Sequence, residues 1–360
     1  MLRALLALIA AALIGLLIWG ISSLIKGREE RPEGADSAES QAENITYEEV
    51  SAANVLHLSF PTLLAEESAE AGNTAALTVE EFNQILEDLY QRGYVLVDVY
   101  ELAEDNGSGG LRMGTVQTPE GKLPLILSQR DVSYPLDQAG VGYASKLTVD
   151  ESGNLVNELE QADGAVVTGA YDVVPCVEAF IREHPDFSCQ GARGILGLTG
   201  YNGILGYRTS PELGKSAAEG NPYADTYGIF DTEQETAECR STVQALKNAG
   251  WRFASYGYDY VSYGSELSLV KEDAERWENS VEPLLGETDI LIYPWRTDLG
   301  SWSAYGTDNE KYEYLRSLGF QYFFIADDGA GFLQVGEDYV HQGVREIGSY
   351  GEYQEFMAGA

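Results

Sequence analysis

Apolar residues in this chain come in short blocks, and three of the blocks share one local pattern. In Leu89-Tyr-Gln-Arg-Gly93-Tyr94, in Leu246-Lys-Asn-Ala-Gly250-Trp251 and in Leu315-Arg-Ser-Leu-Gly319-Phe320, a helical period ends at a glycine and an apolar run begins at once. Glycine lacks the Cβ that penalises a left-handed residue, so it closes helices readily. The pattern predicts strands over 94–99, 252–255 and 321–325, each entered directly from a helix. The first helix opens on a capping box, Thr78 with Glu81. Its apolar residues Phe82, Ile85, Leu86, Leu89 and Tyr90 fall on one face. Another helix is expected over 269–285, with Trp277, Val281, Leu284 and Leu285 inward. Further strand-length runs lie at 55–60, 123–128, 165–168, 195–199 and 289–293. Several do not alternate, as expected of strands covered on both faces. Strands separated mostly by helices point to an α/β fold. The expected architecture is a distorted (β/α) barrel of about seven or eight mostly parallel strands, because closure removes exposed sheet edges. Chemistry in such barrels sits at the C-terminal ends of the strands.

The start of the chain follows a different pattern. Residues 4–25 carry no charge and are long enough to cross a bilayer as one helix. Lys26, Gly27 and Arg28 follow directly, without a small-residue cleavage site, so an uncleaved transmembrane anchor is expected. Arg3 lies on one side and Lys26, Arg28 and Arg31 on the other, so loop charge does not set the topology. Residues 29–48 are rich in Glu, Ala and Ser, include Pro32 and Gly34, and lack apolar periodicity, as a flexible tether does. The expected organisation is an anchor over 1–27, an acidic linker over 28–52 and one domain over 53–360.

Composition narrows the function classes. The 360 residues are 44% apolar, enough for a sizeable core. A formal net charge of -36 repels phosphate backbones and argues against a nucleic-acid partner. The three cysteines, Cys176, Cys189 and Cys239, form no C-x-x-C, so neither a zinc finger nor a thioredoxin-like motif is present. Cys176 and Cys189 could pair in an oxidising compartment, or all three could be buried thiols.

Three strand ends carry the candidate chemistry. They are Leu125-Ile-Leu-Ser-Gln-Arg-Asp131-Val-Ser-Tyr134, Trp251-Arg-Phe-Ala-Ser-Tyr256-Gly-Tyr258-Asp259-Tyr260 and Ile290-Leu-Ile-Tyr293-Pro294-Trp295-Arg296. In this order and setting they resemble the three main motifs of the polysaccharide deacetylase (NodB-homology, carbohydrate esterase) family. The resemblance runs from about Val55 to Tyr353 and includes the lead-in Leu246 to Trp251. The tail Tyr339-Val-His-Gln-Gly343-Val-Arg345-Glu-Ile-Gly348-Ser-Tyr350 looks like the closing segment of membrane-anchored members from Gram-positive bacteria. The resemblance implies a single-pass cell-membrane protein with its domain outside the cytoplasm, acting on or binding cell-wall or other N-acetylated glycans. In that family an aspartate acts as general base. A second aspartate and two histidines four residues apart hold a divalent metal that activates water.

This sequence departs from that pattern. Arg130 stands at the base position and cannot accept a proton near neutral pH. Asp131 keeps the metal aspartate, but Tyr256 and Tyr260 stand where the histidines belong. Phenols ionise near pKa ~10 and are poor zinc ligands at neutral pH. His57, His184 and His341 are the only histidines in the chain, and none is four residues from another. No metal or other cofactor is therefore expected, and Arg130 is expected to face Asp131 in place of a cation. Pro294 and Trp295 retain part of the third motif and are expected to line a groove. Trp302, Tyr256, Tyr258, Tyr260 and Tyr263 together offer either an aromatic platform for sugar faces or ordinary core packing. Asp98 and the Asp327–Asp328 pair leave open a metal-free glycosidase, whose mechanism depends on carboxylate separation. His184 is expected to end a helix, and His57 and His341 to be structural. Two function classes follow: a catalytically degenerate glycan-binding protein, or a hydrolase of the same family acting on a C–N bond through altered residues.

Overall fold

The structure is a computed structural model and describes residues 45–65, 76–299, 304–329 and 331–359. The expected anchor over 1–27, most of the linker and Trp302 lie outside the described residues. No helix among the described residues is long and apolar enough to cross a membrane.

Seven parallel strands form a closed ring: β1 Leu56–Phe60, β2 Leu123–Gln129, β3 Ile195–Leu198, β4 Arg252–Ser255, β5 Ile290–Ile292, β6 Tyr322–Ala326 and β7 Val340–Glu346. Pairing of β3 with β2 at Ile195↔Ser128, and of β7 with β1 at Arg345↔Leu58, completes the circuit. The helices of more than one turn among the described residues are α1 Val79–Gln91, α2 Val173–Glu183, α3 Thr232–Ala249, α4 Leu267–Ser280, α5 Glu310–Ser317 and α6 Tyr350–Gly359.

The local pattern read from the sequence accounts for three of the helix-to-strand joins. Gly93, Gly250 and Gly319 have φ of 87°, 105° and 107°, the left-handed region that L side chains resist. Thr78 and Glu81 form the expected capping box of α1. The apolar strands lie between two cores. Ile126, Ile195, Ala254, Ile290 and Phe324 fill the barrel interior. Leu125, Leu127, Leu196, Leu291 and Phe323 face outward onto Phe82, Ile85, Leu86 and Trp277 of the helices. Alternation is present, but both faces are apolar, so the sequence shows no polar phase.

Several expectations require correction. Residues 165–168 do not join the barrel. The strand Val166–Gly169 ends a separate antiparallel sheet with Leu155–Glu160 and Ala144–Val149. The predicted strand over 94–99 is short, Tyr94–Leu96, and pairs on β2 outside the ring. The helix expected over 269–285 stops at Ser280 and is followed by a single turn, Glu282–Leu285. Pro283 has no N–H to continue the helix, and its ring clashes with the preceding turn. Tyr47–Ser51, within the expected linker, pairs antiparallel with Thr115–Pro119. The tail 339–350 supplies β7, a full barrel strand.

Candidate functional site

At the C-terminal ends of the strands, Arg130, Asp131, Tyr256 and Tyr260 line one cavity of about 410 Å³ with Pro61, Thr62 and Gly348. The first two motif segments thus meet in one cavity, and the third, following β5, reaches the same end of the barrel, where Trp295 bonds Tyr260. Among the described residues, four of the seven non-glycine residues with positive φ sit here: Asp131 (51°), Tyr260 (55°), Trp295 (57°) and Arg296 (54°). Backbone in this region costs free energy, and its concentration at one mouth is characteristic of binding and catalytic sites.

The Asp131 Oδ1 accepts a hydrogen bond from the Thr199 hydroxyl at 2.7 Å. Burial pushes the Asp131 carboxyl above the usual carboxylate range, and the Thr199 bond works against that shift. The ion pair of Arg130 is with Glu346 of β7, not with Asp131: Arg130 Nη1 lies 3.3 Å from Glu346 Oε1. The expectation that Arg130 neutralises Asp131 is corrected accordingly. The Arg130 Nη1 is buried and lacks a hydrogen-bond partner, so this contact is a charge pair without hydrogen-bond alignment. Glu346 Oε2 also lies 4.0 Å from Arg296 Nη1, and Arg296 binds Asp328. Glu346 therefore links two arginines across the mouth.

Tyr256 is buried, which holds its phenol well above the ordinary range. Its ring packs edge-on against Tyr260 at 5.6 Å, and Tyr201 adds a third ring 5.5 Å from Tyr260. Trp295 is 67% exposed, and its indole N–H donates to the Tyr260 carbonyl. Trp295 borders this cluster, Pro294 is buried, and neither lines the cavity. Two tyrosines of the expected platform turn away. The Tyr258 hydroxyl donates to Glu212 at 2.8 Å, and Tyr263 is buried against Tyr293.

The divalent metal implied by the sequence resemblance does not fit this donor set. At the four motif positions, one carboxylate drawn toward its neutral form, two phenols and a guanidinium provide no tetrahedral or octahedral cage, and Glu346 is paired with two arginines. Among the described residues, no three His, Cys, Asp or Glu side chains converge on one point.

The histidines lie elsewhere. His57 is inside the barrel, bonded to Gln342 at 2.9 Å and Ser128 at 3.0 Å, and burial lowers its pKa to about 4. His341 is buried beneath Tyr305, with Asp298 at 3.6 Å, and burial lowers its pKa to about 4. The His184 backbone N–H caps α2 through the Phe180 carbonyl. Asp98 pairs with Arg252 at the start of β4, the opposite end of the barrel from Asp131. Asp328 is held by Arg296 and Arg345, and Asp98, at the other end of the barrel, does not face the Asp327–Asp328 pair of the glycosidase alternative. All three cysteines are free and buried.

Sequence reasoning missed Thr199, Tyr201, Glu346, Gln138 and Tyr143. The Gln138 Oε1 is buried without a partner, and both Gln138 and Tyr143 line the mouth cavity. Thr199 and Glu346 lie at the ends of β3 and β7, the positions that barrel topology marks for inspection.

No family model matches the sequence. A class 1 fructose-1,6-bisphosphatase of Trichodesmium erythraeum is 34% identical over 99 residues, which is 28% of this chain. The match spans 27% of that relative's length. Among solved structures, a Streptococcus pyogenes deacetylase in complex with acetate is similar at TM-score 0.44 and 10% identity, over 86% of this chain and 99% of that one. A polysaccharide deacetylase of Bacillus cereus is similar at TM-score 0.44 and 9% identity, over 85% of this chain and 69% of that one. The solved structures to which this chain is similar thus include polysaccharide deacetylases.

Proposed function

We propose that this chain is a deacetylase-like glycan-binding protein in which metal-dependent hydrolysis is lost. The observation that carries the proposal is the mouth itself: Arg130, Asp131, Tyr256 and Tyr260 share one cavity whose donors suit a sugar and not a metal. Arg130 is tied to Glu346 and has no basic lone pair, so the position beside Asp131 supplies no general base. The cavity retains what carbohydrate recognition needs. Aromatic rings offer large apolar faces with little entropy to lose, and Gln138, Asp131 and Arg130 supply acceptors and donors. The ligand class is a cell-wall or other N-acetylated glycan, as the sequence resemblance implies.

The same proposal places the domain outside the cytoplasm, tethered to the cell membrane by the apolar segment 4–25. The test is acetate release. The full chain in non-ionic detergent, incubated with chitooligomers or peptidoglycan and with added zinc, nickel or cobalt, is expected to release none. It is expected to bind the oligomers in isothermal titration. Turnover abolished by Asp131→Ala would reject the proposal in favour of an active hydrolase.

A further inference from the structure

A second cavity, of about 630 Å³, opens in the barrel wall between β7 and β1 and shares no lining residue with the mouth. Its origin is a defect in strand pairing. β7 meets β1 only at Arg345↔Leu58 and Glu346↔Ser59. The earlier part of β7 is paired instead by the hairpin strand Leu333–Val335, at Val340 to Gln342. At the start of β1, Leu56 and His57 pair with β2 but have no ladder partner on the β7 side, where the backbone borders the opening. Gly343 is required at this point, because a Cβ there would lie 2.8 Å from the Phe332 ring. Phe332 is seated over the strand by the Gly343 N–H, which donates to its carbonyl at 2.9 Å.

The opening has aromatic and apolar walls from Phe332, Phe356 and Leu56, with Gln342 at its floor. Arg345 is its cation, and that guanidinium is poorly neutralised. Its Nη1 donates to the Asp328 carbonyl at 2.9 Å, but the nearest Asp328 carboxylate oxygen is 3.8 Å away. That carboxylate is already bound by Arg296 and is 75% exposed. The Arg345 Nε is buried with no partner, and the guanidinium lies over the Phe356 ring at 5.2 Å. Glu355 stands exposed on the rim, where water screens it. A poorly neutralised guanidinium held beside aromatic walls is matched by a planar anion that stacks and accepts a charge-assisted hydrogen bond. The volume lies within the range of small-molecule sites.

We propose that this wall opening is a binding site for an organic monoanion with a flat aromatic body. Its failure would leave the mouth and its glycan reading untouched, since the two cavities have no residue in common. The test uses the full chain in non-ionic detergent with two probes, 4-trifluoromethylbenzoate and its uncharged counterpart 4-trifluoromethylbenzamide. Binding is read by fluorine NMR line broadening against empty micelles. The benzoate is expected to bind saturably at one site. Arg345→Met keeps the packing on Phe356 and removes the charge, so it is expected to weaken the benzoate about tenfold and the benzamide less than about twofold, as loss of a charge-assisted bond does. Ala53→Trp, at an exposed lining position, is expected to abolish both. Absence of saturable benzoate binding overturns the proposal, and so does equal weakening of both probes by Arg345→Met. Should Arg345→Met fail to fold, Ala53→Trp decides: loss of benzoate binding supports the site and retention overturns it.

Discussion

Arg130 and Glu346 are expected to be energetically coupled, and Arg130 and Asp131 are not. The perturbations are Arg130→Met, Glu346→Gln and the double variant. The charges lie 3.3 Å apart with side chains 24% and 22% exposed. At an effective dielectric constant of about 20, Coulomb's law gives a gross attraction of roughly 5 kcal/mol. Glu346 and Arg296, at 4.0 Å, give roughly 4 kcal/mol on the same basis. Desolvation and the missing hydrogen-bond alignment offset most of this. The net cost falls between that of exposed pairs, about 0–1 kcal/mol, and that of breaking fully buried ones, about 3–5 kcal/mol. Arg130→Met removes one attraction and leaves Glu346 paired with Arg296, for a loss of about 1 kcal/mol. Glu346→Gln removes both attractions and strands two arginines, for a loss of about 2 kcal/mol. Once Glu346 is neutral, removing Arg130 costs nothing further, so the double variant also loses about 2 kcal/mol and the coupling is about 1 kcal/mol. Urea midpoints at constant m-value and 0.15 M salt measure all four corners. A coupling below about 0.3 kcal/mol, together with a coupling near 1 kcal/mol in the Arg130→Met/Asp131→Asn cycle, would refute the geometry of the mouth.

Three further outcomes are expected. Asp131 holds its proton more tightly in the fold than in the unfolded chain, so its contribution is most favourable below the ordinary carboxylate pKa and is lost as pH rises through the raised folded value. Asp131→Asn, which also tolerates positive φ, is therefore expected to melt no lower than the parent at pH 7, whereas Asp131→Ala, which strands the Thr199 hydroxyl, loses about 1–3 kcal/mol; an Asn variant that melts several degrees lower contradicts this. His57 and His341 have folded pKa values lowered to about 4, so stability present above the unfolded value of 6.5 falls as pH drops toward 4; urea midpoints at pH 7 and pH 5 should differ, and His57→Gln should make the difference smaller. Trp295→Ala is expected to weaken glycan binding by about 1–2 kcal/mol with little change in melting temperature, because the ring is 67% exposed, and bound chitooligomer should protect its fluorescence from acrylamide.

The sequence was informative wherever one residue type answers one local demand. Gly93, Gly250 and Gly319 closed helices and announced strands because only glycine accepts their φ cheaply. Strand ends in the order of the family that the sequence resembles pointed to Asp131, Tyr256 and Tyr260, which line one cavity. Local logic failed where two signals competed. Trp277 to Leu285 keeps a helical period across Pro283, and the proline prevailed. β7 was read only as a tail because His341, Gln342, Arg345 and Glu346 interrupt its apolar run. Two of these, His341 and Gln342, are buried and bonded at 3.2 Å to Tyr305 and 2.9 Å to His57. Partners far apart in the chain left no trace at all. Nothing near Arg130 in sequence signals Glu346, and nothing near Asp131 signals Thr199; barrel closure alone brings them together.

The claim on which the account rests is that this mouth cannot grip a divalent ion. Isothermal titration of zinc into the full chain, after exhaustive treatment with a chelator, tests it directly. The expected result is no saturable heat beyond that of the Asp131→Asn variant. A one-to-one, submicromolar isotherm that Asp131→Asn abolishes would contradict it and restore the metal-dependent hydrolase.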